Sequence, residues 1–243
     1  MSIPPLYKSF EDNQETNCIF CKSSTNDVVL YSNKYTKNGI TIHNFCLLFA
    51  SGLQQKNEAN VEILGYLEED VKRELKQASK LTCFYCKLRG ASIGCCRRSC
   101  RKSFHYTCGL ENSCLSQFCG KFDSFCHLHH DIERSTIHAD NELCRLCEQS
   151  MGKFHSVTSI ELPCCNSRWY HSQCLRDLVN KQNIPRCQAC GDEDAFRQSM
   201  LLNGIYISER CSEDEIEQIA SMTPSTSSHE SSPASTSIID NFA

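Results

Sequence analysis

The stretch CFYCKLRGASIGCCRRSCRKSFHYTCGLENSCLSQFCGKFDSFCHLH, residues 83–129, decides the fold. It contains four pairs of metal-type donors in series: Cys83-x2-Cys86, Cys95-x4-Cys100, His105-x2-Cys108 and Cys126-x2-His129. Donors this close along a chain can grip one ion from the same turn, and two such pairs complete a tetrahedral zinc site. Serial pairs suggest interleaving: Cys83, Cys86, His105 and Cys108 on a first zinc, and Cys95, Cys100, Cys126 and His129 on a second. Cys96 could compete with Cys95, which offers the more usual four-residue gap to Cys100.

Outward from this block the pattern continues. Upstream, Cys18-x2-Cys21 and His43-x2-Cys46 are separated by 21 residues and can converge on one ion, the second pair lying at the start of a helix over 45–53. Downstream, Cys144-x2-Cys147, Cys164-Cys165, His171-x2-Cys174 and Cys187-x2-Cys190 repeat the interleaved plan. There the second pair is adjacent, which strains chelation of a single ion without forbidding it. In all, 16 of the 20 cysteines and four of the 9 histidines are assigned, enough for five Zn2+ ions. The competing reading is buried, unligated thiols. Cys114, Cys119 and Cys211 sit in no recognisable Cys/His arrangement and read as plain thiols, while His127 and His130 read as surface residues.

Composition supports metal over disulfides. The beginning of the chain, Met1-Ser2-Ile3-Pro4-Pro5, has neither the charged region nor the apolar run of a secretory signal, so reduced thiols are expected. The longest apolar run is six residues, 45–50, against roughly 20 needed to cross a bilayer, so no membrane partner is expected. Modules below roughly 70 to 80 residues rarely hold together on a hydrophobic core alone and take metal as a staple. The expected fold is therefore a small zinc-stabilised α+β protein: a C2HC knuckle and two cross-braced fingers with short helices.

Between the ligand blocks, Leu67, Val71, Leu75 and Ala78 recur at helical spacing, with acids at 68–70 and lysines at 76 and 80 matching the helix dipole, which predicts a linking helix within 60–80. Glu68–Lys72 and Glu69–Arg73 are expected i,i+4 pairs. Residues 131–141 read as a linker. Phe196, Met200 and Leu201 mark a short helix ended by Gly204, and 205–207 could add a strand. The Ser/Thr/Pro-rich stretch 211–243 reads as a disordered tail. Net charge is −4, yet residues 71–105 carry ten bases against the single acid Glu74. Arg97, Arg98, Arg101 and Lys102 fall on a loop between ligand pairs, suited to phosphate contacts with nucleic acid or to a nucleosome surface; a merely solvated charged face is the alternative.

Within 18–129, the runs Ile93-Gly94-Cys95 and Phe104-His105-Tyr106 and the closing Cys-x2-His resemble the extended PHD module, a C2HC pre-PHD knuckle joined to a PHD finger. Leu162-Pro163-Cys164-Cys165, Trp169-Tyr170-His171 and 200–207 are similar to the PHD/RING-like finger that follows it in some members of that family. The resemblance places an extended PHD module at 15–130 (knuckle 18–46, helix 60–80, PHD finger 83–129) and a PHD/RING-like finger at 142–210. It implies a nuclear protein that works in ubiquitin transfer onto chromatin or regulatory proteins, with a ubiquitin-conjugating enzyme and histones or DNA as partners. Some relatives end in a HECT domain with a catalytic cysteine, and nothing after Arg210 reads as one. The expectation is thus a RING-type E3 ligase or ligase component, with no catalytic nucleophile of its own. Leu146, Leu178 and Val179 occupy the positions that dock a conjugating enzyme in RING fingers; the same three residues can simply form the finger's small core. Gln188 and Gly191 depart from the RING pattern, which often has Pro within the last pair and Arg just after it. The alternative function is a non-catalytic chromatin reader, in which Trp169, with Phe154 as a second wall, would contact a methyl-lysine. Trp169 as a packing residue, and Pro185 where PHD fingers commonly have an aromatic, count against it.

Overall fold

A Cys-x2-Cys sequence closes on itself only if the residue after the second cysteine turns back, and the chain does this four times. Cys18 N–H donates to Ser23 O (3.0 Å) and Lys22 N–H to Cys18 O (2.8 Å); the same pair of bonds recurs at Cys83/Lys87, Cys144/Glu148 and Cys187/Gly191. The turning residue is left-handed each time, with φ of 64° at Lys22, 64° at Lys87, 57° at Glu148 and 76° at Gly191. Gly191, at the position where RING fingers often carry Arg, thus meets a backbone requirement of its knuckle at the least steric cost. The lysines offset part of their strain by donating from Nζ to Ile19 O and Phe84 O, both at 2.6 Å. Among the hydrogen bonds of the described residues Glu148 makes no such side-chain return, so Glu148→Gly is expected to stabilise the third finger by about 1 kcal/mol. A denaturant melt of the zinc-loaded protein checks this, and a destabilised variant would contradict the knuckle account.

The computed structural model describes residues 16–55, 63–129, 142–152, 157–165, 168–182 and 185–207. The expected linker 131–141, the tail 211–243, Phe154, His130 and Cys211 lie outside the described residues.

Three of the knuckles are followed by an antiparallel strand pair and then a helix. β1 (Lys34–Lys37) pairs with β2 (Ile40–His43) and leads into α2 (Asn44–Leu48), after a single-turn helix α1 (Val28–Tyr31) capped by the Asp27 side chain. Asn38 and Gly39, both at positive φ, make the two-residue turn that suits this hairpin. After α3 (Glu68–Ala78), β3 (Ile93–Gly94) pairs with β4 (Ser103–Phe104) and leads into α4 (Tyr106–Glu111). The PHD finger then adds a second small hairpin, β5 (Leu115–Ser116) with β6 (Ser124–Phe125). In the third finger β7 (Ser159–Leu162) pairs with β8 (Arg168–His171) before α5 (Ser172–Lys181), and α6 (Asp194–Leu202) follows the last knuckle. His43, His105 and His171 are the N-cap residues of α2, α4 and α5, and the third residue of each helix is the paired Cys46, Cys108 or Cys174.

α2 ends at Leu48, earlier than the 45–53 expected, because the chain tightens there: Ala50 N–H reaches Leu47 O, three residues back. The linking helix starts at Glu68, since Ile63 and Tyr66 bridge across a turn with positive φ at Leu64 and Gly65. On α3, Lys72 pairs with Glu68 at 2.6 Å, but Arg73 turns to Asp70 and not to Glu69. Residues 205–207 join no strand among the described residues; Ile205 N–H caps α6 by donating to Met200 O (2.9 Å), and Ile205 and Ile207 are buried.

Two apolar cores result. One joins the knuckle (Phe20, Ile42, Phe45, Phe49) to the PHD finger (Ile93, Phe104, Tyr106, Phe118), with Val71 of α3 closing it. Glu74 of α3 is buried beside Gly52 and accepts its backbone N–H; burial holds its carboxyl above the usual range, and a Cβ at Gly52 would overlap that carboxylate. The other core contains Ile160, Leu162, Trp169, Leu175, Val179, Phe196 and Met200 of the third finger. α6 and the residues after it serve both, because Leu201 and Tyr206 pack against the first core. Phe118 N–H donates to Leu201 O (2.9 Å), and Gln117 Nε2 to Leu202 O (3.2 Å). Gly204 sits at φ +71° where a Cβ would come 3.0 Å from Ser116 O, so here a glycine is required for both conformation and space.

Candidate metal centres

With the fold in place, the donor atoms converge as the pairing predicts. Cys18, Cys21, His43 and Cys46 bring their ligand atoms within 4.8 Å of one another, as do Cys83, Cys86, His105 and Cys108; Cys95, Cys100, Cys126 and His129; and Cys144, Cys147, His171 and Cys174. The PHD finger is cross-braced, since its first and third pairs share one cluster and its second and fourth the other. In the fifth cluster Cys164, Cys187 and Cys190 meet. The fourth expected ligand, Cys165, ends the short 3-10 turn Pro163–Cys165, and its side chain lies outside the described residues.

Spacing inside the clusters fits zinc. With Zn–S near 2.3 Å and Zn–N near 2.0 Å, a tetrahedron places sulfur about 3.8 Å from sulfur and about 3.5 Å from nitrogen. Sγ to Nδ1 distances are 3.4 Å for Cys21–His43, 3.8 Å for Cys46–His43, 3.4 Å for Cys86–His105 and 3.3 Å for Cys126–His129. In the third finger they are 3.4 Å for Cys147–His171 and 3.9 Å for Cys174–His171, and Cys100–Cys126 is 4.0 Å between sulfurs. A thiolate-rich set with imidazole at tetrahedral spacing is a soft donor set that selects zinc over hard cations. The protein's cofactor is Zn2+, at five sites.

The surroundings orient the donors. In every histidine-containing cluster the imidazole presents Nδ1 to the sulfurs. His43 Nε2–H donates to Thr25 O (2.8 Å) and His105 Nε2–H to Arg89 O (3.3 Å), which leaves the Nδ1 lone pair for the ion. Neither carbonyl has a signature in sequence, because any residue can supply one. Backbone N–H groups donate to thiolates as well: His43 to Cys18 (3.5 Å), Cys126 to Cys95 (3.3 Å) and His171 to Cys144 (3.4 Å). Burial opposes the Cys144 thiolate, but backbone N–H groups of His171, Cys147 and Leu146 outweigh it and bring the thiol down to about 7. Burial also works to lower the His43 imidazole, but Cys18 and Cys21 raise it to about 9: the negative field that would hold a proton there is what draws in a dication.

The remaining candidates fall as follows. Cys96 is exposed and outside the clusters; its Sγ accepts from Ser124 N–H (3.4 Å). Cys114 is buried and hydrogen-bonded to the Tyr85 hydroxyl (2.9 Å), and His127, half-buried and no simple surface residue, shares that hydroxyl through Nδ1 (2.8 Å). Leu146 and Leu178 are half-buried against the third-finger core, whereas Val179 lies within it. Trp169 is 3% exposed, so its indole faces the core and not solvent. Arg97, Arg98 and Arg101 are exposed, and Lys102 is half-buried with Nζ 4.5 Å from the Phe84 ring centroid.

This fold and these centres define a small zinc-binding α+β protein built of a C2HC knuckle and two cross-braced fingers. Residues 43–130 match the PHD-like zinc-binding domain family. The chain is 35% identical over 215 residues to the human G2/M phase-specific E3 ubiquitin-protein ligase, covering 86% of this chain and 30% of that protein. It is 32% identical over 206 residues to the Pineapple eye protein of Drosophila melanogaster, covering 82% of this chain and 35% of that one. With PHD finger protein 11 of Bos taurus it shares 29% identity over 136 residues, covering 52% of this chain and 38% of the relative. The chain thus spans about a third of the length of the curated relatives it matches. No helix among the described residues is long and apolar enough to cross a membrane.

Proposed function

We propose that the chain acts in the nucleus as a RING-type E3 ubiquitin ligase, or a component of one, on chromatin or regulatory proteins. A ligase of this type owns no nucleophile: it holds a charged conjugating enzyme so that its thioester sits in a reactive pose, and rate comes from restricted geometry. The observation that carries the reading is the edge of the third finger. Leu146, between ligands Cys144 and Cys147, and Leu178, one helical turn after ligand Cys174, both rest on the core while keeping part of their surface in water. Two apolar side chains fixed by two ligand pairs of one zinc cluster make a rigid docking edge, with Val179 supporting it from the core. Similarity to an E3 ubiquitin-protein ligase over 86% of the chain supports the same reading. Recruitment would fall to the basic loop: Arg97, Arg98, Arg101 and Lys102 sit on a segment pinned by Cys95 and Cys100, so its charges are held out on a rigid mount.

Ubiquitin-chain formation with a panel of conjugating enzymes tests this. Wild type is expected to form chains, Leu146→Ala to lose about tenfold while retaining its zinc, and Cys144→Ser to lose activity with its metal. Silence of the wild type across the panel, with nucleosomes still captured, would replace the ligase by the non-catalytic reader.

A further inference from the structure

The PHD finger has an apolar patch at the tip of its first knuckle. Phe84, inside the Cys83–Cys86 pair, is 39% exposed and Leu88 is 67% exposed. Leu128, 61% exposed, follows His127, whose ring lies 6.2 Å from that of Phe84. Zinc and the turn's own hydrogen bonds already hold this knuckle, so the exposed faces of the apolar side chains at its tip are not needed to close it. Single exposed leucines are ordinary, but an exposed aromatic and Leu88 on one zinc-pinned knuckle, with Leu128 next to the His127 that packs on Phe84, offer a contact surface.

The charge nearest to Phe84 is positive. Lys87 Nζ lies 4.7 Å and Lys102 Nζ 4.5 Å from the Phe84 ring centroid. Arg98 and Arg101 are exposed on the following loop, and residues 75–110 contain no Asp or Glu. Cations are thus fixed at the border of apolar side chains, in a chain whose overall charge is −4.

From this geometry we infer that the corner docks an acidic protein segment that also carries apolar side chains. Phe84, Leu88 and Leu128 receive the apolar groups, and Lys87, Lys102, Arg98 and Arg101 face the carboxylates. Nucleic acid satisfies only half of the surface: phosphates would pair with the cations and a base could stack on Phe84, but two aliphatic leucines give nothing to either. The inference rests on the recruiting role given to the basic loop and names the chemistry of its partner.

Fluorescence anisotropy with three probes tests it: a labelled ~12-residue peptide of Glu, Asp, Leu and Phe, the same peptide with Leu and Phe replaced by Ser, and a DNA duplex. The zinc-loaded full chain is expected to prefer the first peptide to the second by about tenfold at near-physiological salt. Leu88→Ser/Leu128→Ser should erase that preference with zinc content unchanged, and Arg98→Glu/Arg101→Glu should weaken both peptides alike. Equal binding of the two peptides by wild type, or DNA bound more tightly than either with the leucine variant unaffected, overturns the proposal. The leucine variant should still form ubiquitin chains as wild type does, so failure here and failure of the ligase reading are told apart.

Discussion

Removing zinc with a strong chelator should unfold this chain. The loss of helical signal should track metal release, and elemental analysis of the starting material should give five zinc ions per molecule. The expectation is large because each structural zinc site contributes on the order of 10 kcal/mol to folding, while a whole domain is stable by only about 5–15 kcal/mol. Three of the clusters each tie a knuckle to the start of a helix, so losing the ion frees α2, α4 or α5 from its strand pair. Acid should act in the same direction, since protons compete with zinc for thiolates and imidazoles. A fold that keeps its helical signal in chelator, or a metal content far below five, would end the metal-based account.

The second large effect is expected at Phe45, which bears no ligand. Its ring is 1% exposed and lies 4.7 Å from Phe118, 5.1 Å from Tyr206 and 6.3 Å from Tyr106. These partners belong to the PHD finger and to the segment after α6, so one side chain joins knuckle, PHD finger and the end of the third finger. Phe45→Ala should cost about 3–5 kcal/mol by leaving a cavity at that junction. Guanidinium melts of the zinc-loaded protein measure it, and zinc content in native buffer should stay at the wild-type level because no donor is touched. A loss below about 1 kcal/mol would mean that zinc alone holds the modules together.

Much of this was legible in the residues themselves. Pairs of Cys and His at two-residue spacing report their chemistry directly, and their serial order carries the cross-brace. α3 was visible through its helical spacing, and its acidic first turn is where the dipole favours it. Other features were settled by contacts that no local pattern encodes. Cys95 and Cys96 are adjacent along the chain, but Cys95 N–H pairs with Lys102 O while Cys96 N–H pairs with Ser124 O. Neighbours in extended chain face opposite ways, so only one thiol reaches the zinc cluster. Residues 205–207 read as a possible short strand, yet they cap a helix and fill two cores. The candidate contacts divide in the same way: Trp169 and Val179 turn inward, while Leu146 and Leu178 stay at the rim.

By itself the sequence determined the metal, the ligand pairs and the order of the modules, because coordination needs particular atoms at short spacing and those are written residue by residue. Only the tertiary structure decided which faces remain open. It packed Tyr206 and Leu201 against the first core and left Leu88 and Leu128 in water, since burial depends on what arrives from far along the chain and not on the residue alone.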